Sequence, residues 1–381
     1  MTEKKAIKNK DVVTTGFEGI VVSKNKTIKK KEFSILDLKK KVETVTAYKE
    51  DSYIPFGFAV SDALRKKGIP QGFIHQIIGH SNGGKTTFLF ESAISAQRMG
   101  VLPVFIITEN KFDWNHLLSM GFERGEVIGQ DENGTDIYGG HFLYLDGFKN
   151  IEHIFLEINK ILDLQENKNE IPYDLLFLVD SFGSISGKMN SEVNPDGGLK
   201  GGHMQDATIY SDLMGKGLKS RIGMSRKKDS PYTNTVLAVN QAYMSPGSGP
   251  MSRPRLTPKG GEAMTFSSCM IYRCGQIENV GLQKKSCVIN NKKIKVGDVT
   301  TLAIDKDHSD FFTVLDEKVF LTSHGFIKNT ESEIKRYTEK MKPIWKERVE
   351  LSESTENTIE VDMETGETMS ENITQPIKAE L

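Results

Sequence analysis

The sequence predicts an α/β fold in which a mainly parallel, twisted sheet is flanked by helices. Short apolar runs occur at 104–107, 175–179 and 235–239, and they carry apolar side chains on both faces, as buried parallel strands do. Apolar residues with helical spacing occupy 151–164, between two of these runs. Because strands and helices alternate along the chain, helices are expected to cover the sheet.

A further apolar run at 73–78 leads into a glycine-rich octapeptide. From Gly79 to Thr86 it reads Gly-His-Ser-Asn-Gly-Gly-Lys-Thr, which is the G-x-x-x-x-G-K-T pattern of a phosphate-binding loop, hereafter the P-loop. A helical pattern starts at Lys85 and stops at Gly100, as a glycine at a helix end would produce.

The residue types in the P-loop are those that phosphate binding requires. Small residues let successive backbone amides close around a β-phosphate at a helix N-terminus. Lys85 then reaches the β- and γ-phosphate oxygens, and the Thr86 hydroxyl can bind Mg²⁺. The alternative is a purely structural glycine-rich turn. The candidate nucleotide contacts are Gly79, His80, Ser81, Asn82, Gly83, Gly84, Lys85, Thr86 and Thr87.

The remaining segments continue the alternation of helices and strands. A helix is expected at 204–222, strands at 270–272 and 300–304, and a hairpin turn near Asn290 and Asn291. The polar insertion from Gly129 to Gly140 is expected to form a surface hairpin. The segments 186–202 and 242–261 are rich in Gly, Ser, Asn or Pro and are expected to be irregular, functional loops.

Charge is distributed unevenly, although the 381 residues sum to a net charge of −1. We expect a basic N-terminal arm at 1–50 that can serve in oligomerisation, a core at 51–330, and a C-terminal helix with an acidic tail at 331–381. The helix is expected over 331–349. The charged ends are equally compatible with solvated tails and with an arm that contacts DNA or a neighbour and a tail that competes with DNA.

The three cysteines have no metal-ligand spacing, which favours a reducing compartment. No stretch approaches the roughly 18 apolar residues of a membrane span, and the N-terminus lacks the apolar core of a secretion signal. A cytoplasmic protein without a membrane partner is therefore expected.

Three polar residues follow predicted strands. Asp180, after 175–179, is expected to hold Mg²⁺ together with Thr86, with a helix N-cap as the alternative. Glu109 follows the predicted strand 104–107, which is expected to lie next to the P-loop strand. This position would bring the Glu109 carboxylate to the γ-phosphate, where it could activate a water molecule. The alternative is a surface glutamate in a turn. Gln241 follows 235–239 and is expected to sense the γ-phosphate.

The order of these residues resembles the RecA-type recombinases, including the phage branch. The resemblance rests on the P-loop, Glu109, Asp180-Ser181, Asn240-Gln241 and Gly260-Gly261-Glu262-Ala263, and it covers about residues 53–310. It implies a RecA-like P-loop ATPase core that uses ATP and Mg²⁺. It also implies that Glu109 is the catalytic carboxylate beside Lys85 and Gln241, that Gln241 couples ATP to DNA binding, and that Asp113 contacts the adenine.

The resemblance further implies that 186–203 and 242–261 are two DNA-binding loops. Such loops need cations for the phosphate backbone and apolar or aromatic side chains that wedge between bases. Ordinary flexible surface loops are the alternative. The candidate DNA contacts are Lys188, Lys200, His203, Tyr243, Met244, Arg253, Arg255 and Lys259.

The sequence also departs from the family. Two family lysines that reach ATP on the neighbouring subunit correspond here to Lys306 and His308, so one cation is replaced by a titratable group. A second departure is that 331–381 does not resemble the family's C-terminal domain. Together with the unusual entry to the P-loop, Gly79-His80-Ser81, this departure is compatible with a phage-encoded as well as with a bacterial protein, in either case of the bacterial cytoplasm.

The function that this resemblance implies is that of an ATP-dependent DNA recombinase with DNA-dependent ATPase activity. It would form a helical homo-oligomeric filament on single-stranded DNA and promote homologous pairing and strand exchange with double-stranded DNA, in recombination and repair. Single-strand-binding and mediator proteins are expected partners. The alternatives are a ring helicase on the same core and a nucleotide-gated DNA-binding protein with little turnover.

Overall fold

A computed structural model describes residues 47–109, 112–132, 134, 136–188, 208–210, 212–245, 255–259, 261–276, 282–309 and 316–356. For 215–216, 243–245, 255–257, 261–263 and 353–356 only the backbone is described. Most of the predicted basic arm and acidic tail, and most of the segment 186–203, therefore lie outside the described residues.

Sixteen strands alternate with helices along the described part of the chain. The strands are β1 Tyr53–Pro55, β2 Gly68–Pro70, β3 Ile74–Ile78, β4 Leu102–Ile107, β5 Val127–Gln130, β6 Asp136–Tyr138, β7 Leu143–Leu145, β8 Leu175–Asp180, β9 Thr235–Val239, β10 Ala242–Ser245, β11 Arg255–Pro258, β12 Met270–Cys274, β13 Gln283–Ile289, β14 Lys292–Asp307, β15 Glu317–Thr322 and β16 Gly325–Lys328. The α-helices are α1 Phe58–Leu64, α2 Lys85–Arg98, α3 Trp114–Ser119, α4 Ile151–Glu166, α5 Lys219–Met224, α6 Gly261–Ser267 and α7 Glu331–Glu356. A π-helical turn, Met214–Leu218, precedes α5.

The main sheet has the order β16-β15-β14-β12-β3-β9-β8-β4-β7, and β13 pairs with β14 beside it. The strands from β12 to β7 are parallel, whereas β14, β15 and β16 extend the sheet in antiparallel pairs. Strands β3, β4, β9 and β12 are buried along their whole length. The predicted α/β class with a mainly parallel sheet flanked by helices is confirmed.

The strand order corrects one expectation. Neither β4, which precedes Glu109, nor β8, which ends at Asp180, is next to the P-loop strand β3. Strand β9 pairs directly with β3, and β8 and then β4 follow outward. Neighbourhood in a sheet depends on pairing between distant segments, which local apolar runs do not encode. The carboxyl ends of these parallel strands nevertheless share one edge, so their polar residues still converge.

Two hydrophobic cores cover the two faces of the sheet. Helix α2 contributes Phe88, Leu89 and Ala93 to one core, and α4 contributes Ile154 and Ile158 to the other. The helical spacing predicted for 151–164 therefore marks the buried side of α4. Full burial of a side chain of this size stabilises the fold by about 1.5–3 kcal/mol.

Both predicted hairpins are present. Strands β5 and β6 pair within the polar insertion, and Asn290 and Asn291 connect β13 to β14 with positive φ angles of 47° and 61°. Asparagine tolerates this left-handed backbone better than most residues, which suits a tight hairpin turn.

Two other segments are more regular than expected. In the segment 242–261, residues 242–245 and 255–258 form the paired strands β10 and β11, whereas the whole segment was expected to be an irregular loop. Helix α7 continues to Glu356, beyond the expected end at Val349. No described helix has the length and apolar character needed to cross a membrane.

Glu91 fastens the P-loop helix α2 to β16. Its Oε1 accepts a hydrogen bond of 2.7 Å from the Phe326 amide, while its Oε2 is buried without a partner among the described residues. A Cβ at Gly57 or Gly325 would lie within 2.7 Å of this carboxyl group, and Gly325 also has a φ angle of 105°, which favours glycine there. Burial raises the pKa of Glu91 from 4.5 to about 7, against the lowering effect of the Phe326 hydrogen bond.

This buried carboxyl should make stability depend on pH. Because its pKa is higher in the folded than in the unfolded state, its contribution is fully present below about pH 4.5 and is lost as the pH rises towards 7. We predict that Glu91→Gln, which mimics the neutral acid, gains roughly 2 kcal/mol more in free energy of unfolding at pH 8 than at pH 5. Urea unfolding at both pH values measures this difference. The exposed control Glu126→Gln should show no such gain, and a Glu91→Gln variant that follows the wild-type pH dependence would contradict the assignment.

Candidate functional site

The P-loop is shaped by its contact with the end of β12. A Cβ at Gly79 would lie 1.9 Å from the Cys274 carbonyl oxygen, and one at Gly83 would lie 2.6 Å from the same atom. Gly79 also has a φ angle of 145°, which side-chain-bearing residues rarely adopt. The glycines therefore let the loop lie directly against the sheet, and the Thr300 hydroxyl donates to the Gly83 carbonyl oxygen at 3.0 Å from β14.

Lys85 folds back over this loop. Its Nζ donates to the Gly79 carbonyl oxygen at 3.0 Å and to the His80 carbonyl oxygen at 2.8 Å. Burial lowers the pKa of Lys85, although Cys274, Asp180 and Glu109 act in the opposite direction. A bound phosphate would offer this ammonium group charged oxygens in place of neutral carbonyls, and charge-assisted hydrogen bonds are the stronger kind.

Thr86 and Asp180 meet beside Lys85. The Thr86 hydroxyl donates to Asp180 Oδ2 at 3.0 Å. Burial raises the pKa of Asp180 to about 6; the nearby Glu109 adds to this rise, while the Thr86 hydrogen bond and Lys85 oppose it. A hydroxyl oxygen and a carboxylate oxygen are ligands that Mg²⁺ prefers. These two residues therefore fit a magnesium ion bound next to a phosphate.

Glu109 joins the same group through Ser181. The Ser181 hydroxyl donates to Glu109 Oε1 at 3.0 Å, and Gln241 Nε2 approaches that oxygen at 3.5 Å. Asp180, Glu109 and Gln241 follow β8, β4 and β9, whose carboxyl ends lie at one edge of the sheet. Gly183 is needed here, because a Cβ would lie 2.7 Å from the Gln241 side chain. The structure thus brings together the polar residues that the sequence places on three separate strands.

The base of the segment 242–261 is tied to this group. Buried Asn240 donates from Nδ2 to Gln76 Oε1 at 2.9 Å, in the P-loop strand, and to the Lys259 carbonyl oxygen at 2.8 Å. The Lys259 amide donates to the Gln241 carbonyl oxygen at 2.8 Å, and its Nζ donates to the Gly183 carbonyl oxygen at 2.7 Å. A shift of Gln241 would therefore displace Lys259, the residue directly after the end of β11.

A cavity of about 530 Å³ opens next to the start of α2. It is lined by P-loop residues, by the start of β14, by the end of β15 and by α7. Two buried polar atoms of its lining, Asp298 Oδ1 and His116 Nε2, have no hydrogen-bond partner among the described residues. Unsatisfied buried polar atoms are costly, so a ligand that paired with them would bind more tightly.

The sequence did not identify most of this lining. The unpredicted residues are His116, Lys295, Val296, Gly297, Asp298, Leu321, Thr322, Ser323, Trp345 and Arg348. Asp113, the expected adenine contact, is not among the lining residues. It caps α3 instead, where its Oδ1 accepts from the His116 amide at 3.0 Å. One feature of the sequence could have indicated His116: it lies three residues after Asp113, which places it one helical turn further along the chain.

The expected DNA contacts are only partly described. Lys188 is exposed, and its backbone amide donates to the Glu152 carboxylate at 2.9 and 3.1 Å. Tyr243, Met244 and Arg255 lie in β10 and β11, where the backbone alone is described. Lys200, His203 and Arg253 lie outside the described residues.

The two candidates for a cross-subunit contact lie at the end of β14 and beyond it. Lys306 Nζ donates to the Thr265 carbonyl oxygen at 2.6 Å, and the His308 amide donates to the Cys269 carbonyl oxygen at 3.1 Å. Neither residue lines the cavity next to the P-loop.

Comparison with known proteins gives relatives that are named Protein RecA. No protein-family model matches the chain. Protein RecA of Mycoplasma mycoides subsp. mycoides SC is 26% identical over 240 residues, which are 62% of this chain and 58% of that protein. Protein RecA of Mycoplasma pneumoniae is 23% identical over 284 residues, 72% and 71% of the two chains. Protein RecA of Syntrophus aciditrophicus is 28% identical over 250 residues, 63% and 62%.

These similarities support the RecA-type recombinase family for this chain. The match spans only 58% of the first of these relatives, so less than two thirds of that protein is represented. Within this chain, the P-loop, Glu109, Asp180 and Gln241 form one hydrogen-bonded site at the carboxyl edge of the sheet.

The fit of the P-loop against Cys274 predicts the effect of one added methyl group. Gly79→Ala should weaken the binding of a fluorescent ATP analogue by about tenfold or more, because the added Cβ would lie 1.9 Å from the Cys274 carbonyl oxygen and overpacking of this kind costs about 1–3 kcal/mol. Gly129→Ala is the matched control, since nothing lies within 4 Å of its added Cβ. Equal affinities of the two variants would show that the loop tolerates displacement from β12.

Proposed function

We propose that this chain is an ATP-dependent DNA recombinase with DNA-dependent ATPase activity. It would form a helical filament on single-stranded DNA and promote homologous pairing and strand exchange. The observation that carries the proposal is the hydrogen-bonded path from Glu109 through Gln241 to Lys259, which joins the phosphate site to the base of the β10–β11 segment.

The phosphate end of the site has the groups that ATP hydrolysis requires. Lys85 would neutralise the β- and γ-phosphates, and Thr86 with Asp180 would hold Mg²⁺, which supplies further charge neutralisation. Glu109 accepts a hydrogen bond from the hydroxyl of Ser181, the residue that follows Asp180 in the chain. A carboxylate in that position can orient and deprotonate a water molecule for attack on the γ-phosphate.

The other end of the site suits the nucleoside. A nucleotide whose phosphates lie on Lys85 and Thr86 would extend into the adjoining cavity of about 530 Å³, within the usual size range of ligand pockets. Asp298 and His116 belong to the cavity lining, and a rotation of their side chains would let them bond the exocyclic amine of adenine, a ring nitrogen or a ribose hydroxyl. These contacts support ATP as the nucleotide.

The coupling to DNA would operate through Gln241. Its side-chain amide lies 3.5 Å from Glu109 Oε1, a long and weak contact that a γ-phosphate oxygen can replace. Because the Gln241 carbonyl oxygen accepts from the Lys259 amide, such a shift would move the end of β11. Arg253, Arg255 and Lys259 of the segment 242–261 would bind the DNA backbone, which leaves bases free to pair.

Two substitutions separate ATP binding from ATP hydrolysis. Lys85→Ala should abolish DNA-stimulated phosphate release because the phosphates lose their cation. Glu109→Gln should bind ATP normally but release phosphate about 100-fold or more slowly, since a positioned general base contributes an effect of this order. Glu126→Gln, on an exposed site, is the control. Normal turnover by Glu109→Gln would contradict the assignment of this carboxylate.

Electron microscopy of the protein with single-stranded DNA and a non-hydrolysable ATP analogue tests the assembly. Open helical filaments support the recombinase, whereas closed six-fold rings would support a helicase on the same core. A DNA-bound protein that releases no phosphate would instead support nucleotide-gated binding with little turnover.

A further inference from the structure

Helix α7 reaches the cavity beside the P-loop with two side chains. Trp345 and Arg348 line this cavity together with His116, Asp298 and Ser323. They are three residues apart, a spacing that puts two side chains on the same face of a helix. The indole ring is partly buried, whereas Arg348 is exposed to the solvent-filled side. The C-terminal helix therefore supplies part of the wall of the nucleotide site.

Contacts at the other end of the cavity hold α7 in this position. The Tyr337 hydroxyl lies 3.0 Å from both Ser323 Oγ and His324 Nδ1, in the turn between β15 and β16. The Tyr337 and Trp345 rings pack edge to face, with centroids 6.2 Å apart. Met341 and Val349, on neighbouring turns of the helix, are buried. The Tyr337 ring thus packs against Trp345, and buried residues one turn before and one turn after it anchor this part of the helix.

The cavity has an excess of positive charge. Lys295 pairs with Asp298 at 2.5 Å, whereas Arg348 has no carboxylate partner among the described residues. Burial lowers the pKa of the adjacent His324, and the positive charges of Lys340, His116 and Arg348 lower it further. An aromatic ring next to an unpaired guanidinium group is a combination that suits a planar base attached to an anion.

We infer that α7 completes the nucleoside end of the nucleotide site, where Trp345 packs against the base and Arg348 donates to the bound nucleotide. This inference rests on the proposed function, because it assigns α7 a role in the same ATP site. Its consequence is that the C-terminal helix contributes directly to nucleotide affinity and to recognition of the base.

Tryptophan fluorescence reports on this contact because the chain has two tryptophans, Trp114 and Trp345. Trp114 packs among Phe105, Phe112 and Tyr144 and does not line the cavity. Addition of ADP should change the emission of the Trp114→Phe variant, in which Trp345 remains. The change should be absent from Trp345→Phe. The reverse pattern, or equal changes in both variants, would overturn the inference.

Binding of ADP and of inorganic tripolyphosphate, measured by calorimetry, separates a contact to the base from a general effect on the site. Trp345→Ala should weaken ADP binding about tenfold, the scale of loss expected for a base stacked on an aromatic ring, and leave tripolyphosphate binding unchanged. Arg348→Ala should weaken ADP binding, and Arg348→Lys should restore most of it. Lys346→Ala, on the same helix but outside the cavity lining, should bind ADP normally.

The possible failures are distinguishable. Equal weakening of ADP and tripolyphosphate binding by Trp345→Ala, with an unchanged urea midpoint, would give this residue a structural role only and overturn the inference. Unchanged ADP affinity in Trp345→Ala and Arg348→Ala would also overturn it and leave the proposed function intact. If the wild-type chain bound neither ligand, the proposed function would fail first and the inference with it.

Discussion

The convergence of three parallel strands on the P-loop helix is the constraint on which the site depends. Strands β4, β8 and β9 end at one edge of the sheet, and the residues after them enter a single set of hydrogen bonds with Thr86 and Ser181. The raised pKa of Asp180, about 6, results mainly from its burial there. The fold therefore buries charged groups at this edge. A bound metal ion would supply positive charge next to Asp180, and a triphosphate would supply negative charge next to Lys85.

The P-loop helix is fixed from two sides, and this makes the edge rigid where the phosphates would lie. Cys274 and Thr300 support the loop from β12 and β14, while Glu91 fastens the middle of α2 to β16. On the opposite side of the site, Asn240 joins the P-loop strand to the base of the β10–β11 segment. Under the proposed function, these hydrogen bonds would let nucleotide binding at the phosphate site act on the β10–β11 segment.

Local patterns in the sequence predict most of the elements but only part of the site. The apolar runs at 104–107, 175–179 and 235–239 correspond to buried strands because burial on both faces leaves an unmistakable run of side chains. The order of these strands was not predictable, since β3 pairs with strands more than 150 residues later in the chain. For the same reason the cavity lining from β14, β15 and α7 was not predicted, and Asp113 as the adenine contact stays a prediction.

The most direct test of this account is the affinity for fluorescent single-stranded DNA with and without a non-hydrolysable ATP analogue. We predict that the analogue tightens DNA binding by the wild-type chain, and that Gln241→Ala binds DNA equally in both conditions while still binding the analogue. If the wild-type chain held DNA with the same affinity whether or not the analogue was bound, the proposed link between the phosphate site and the DNA-binding segments would be contradicted.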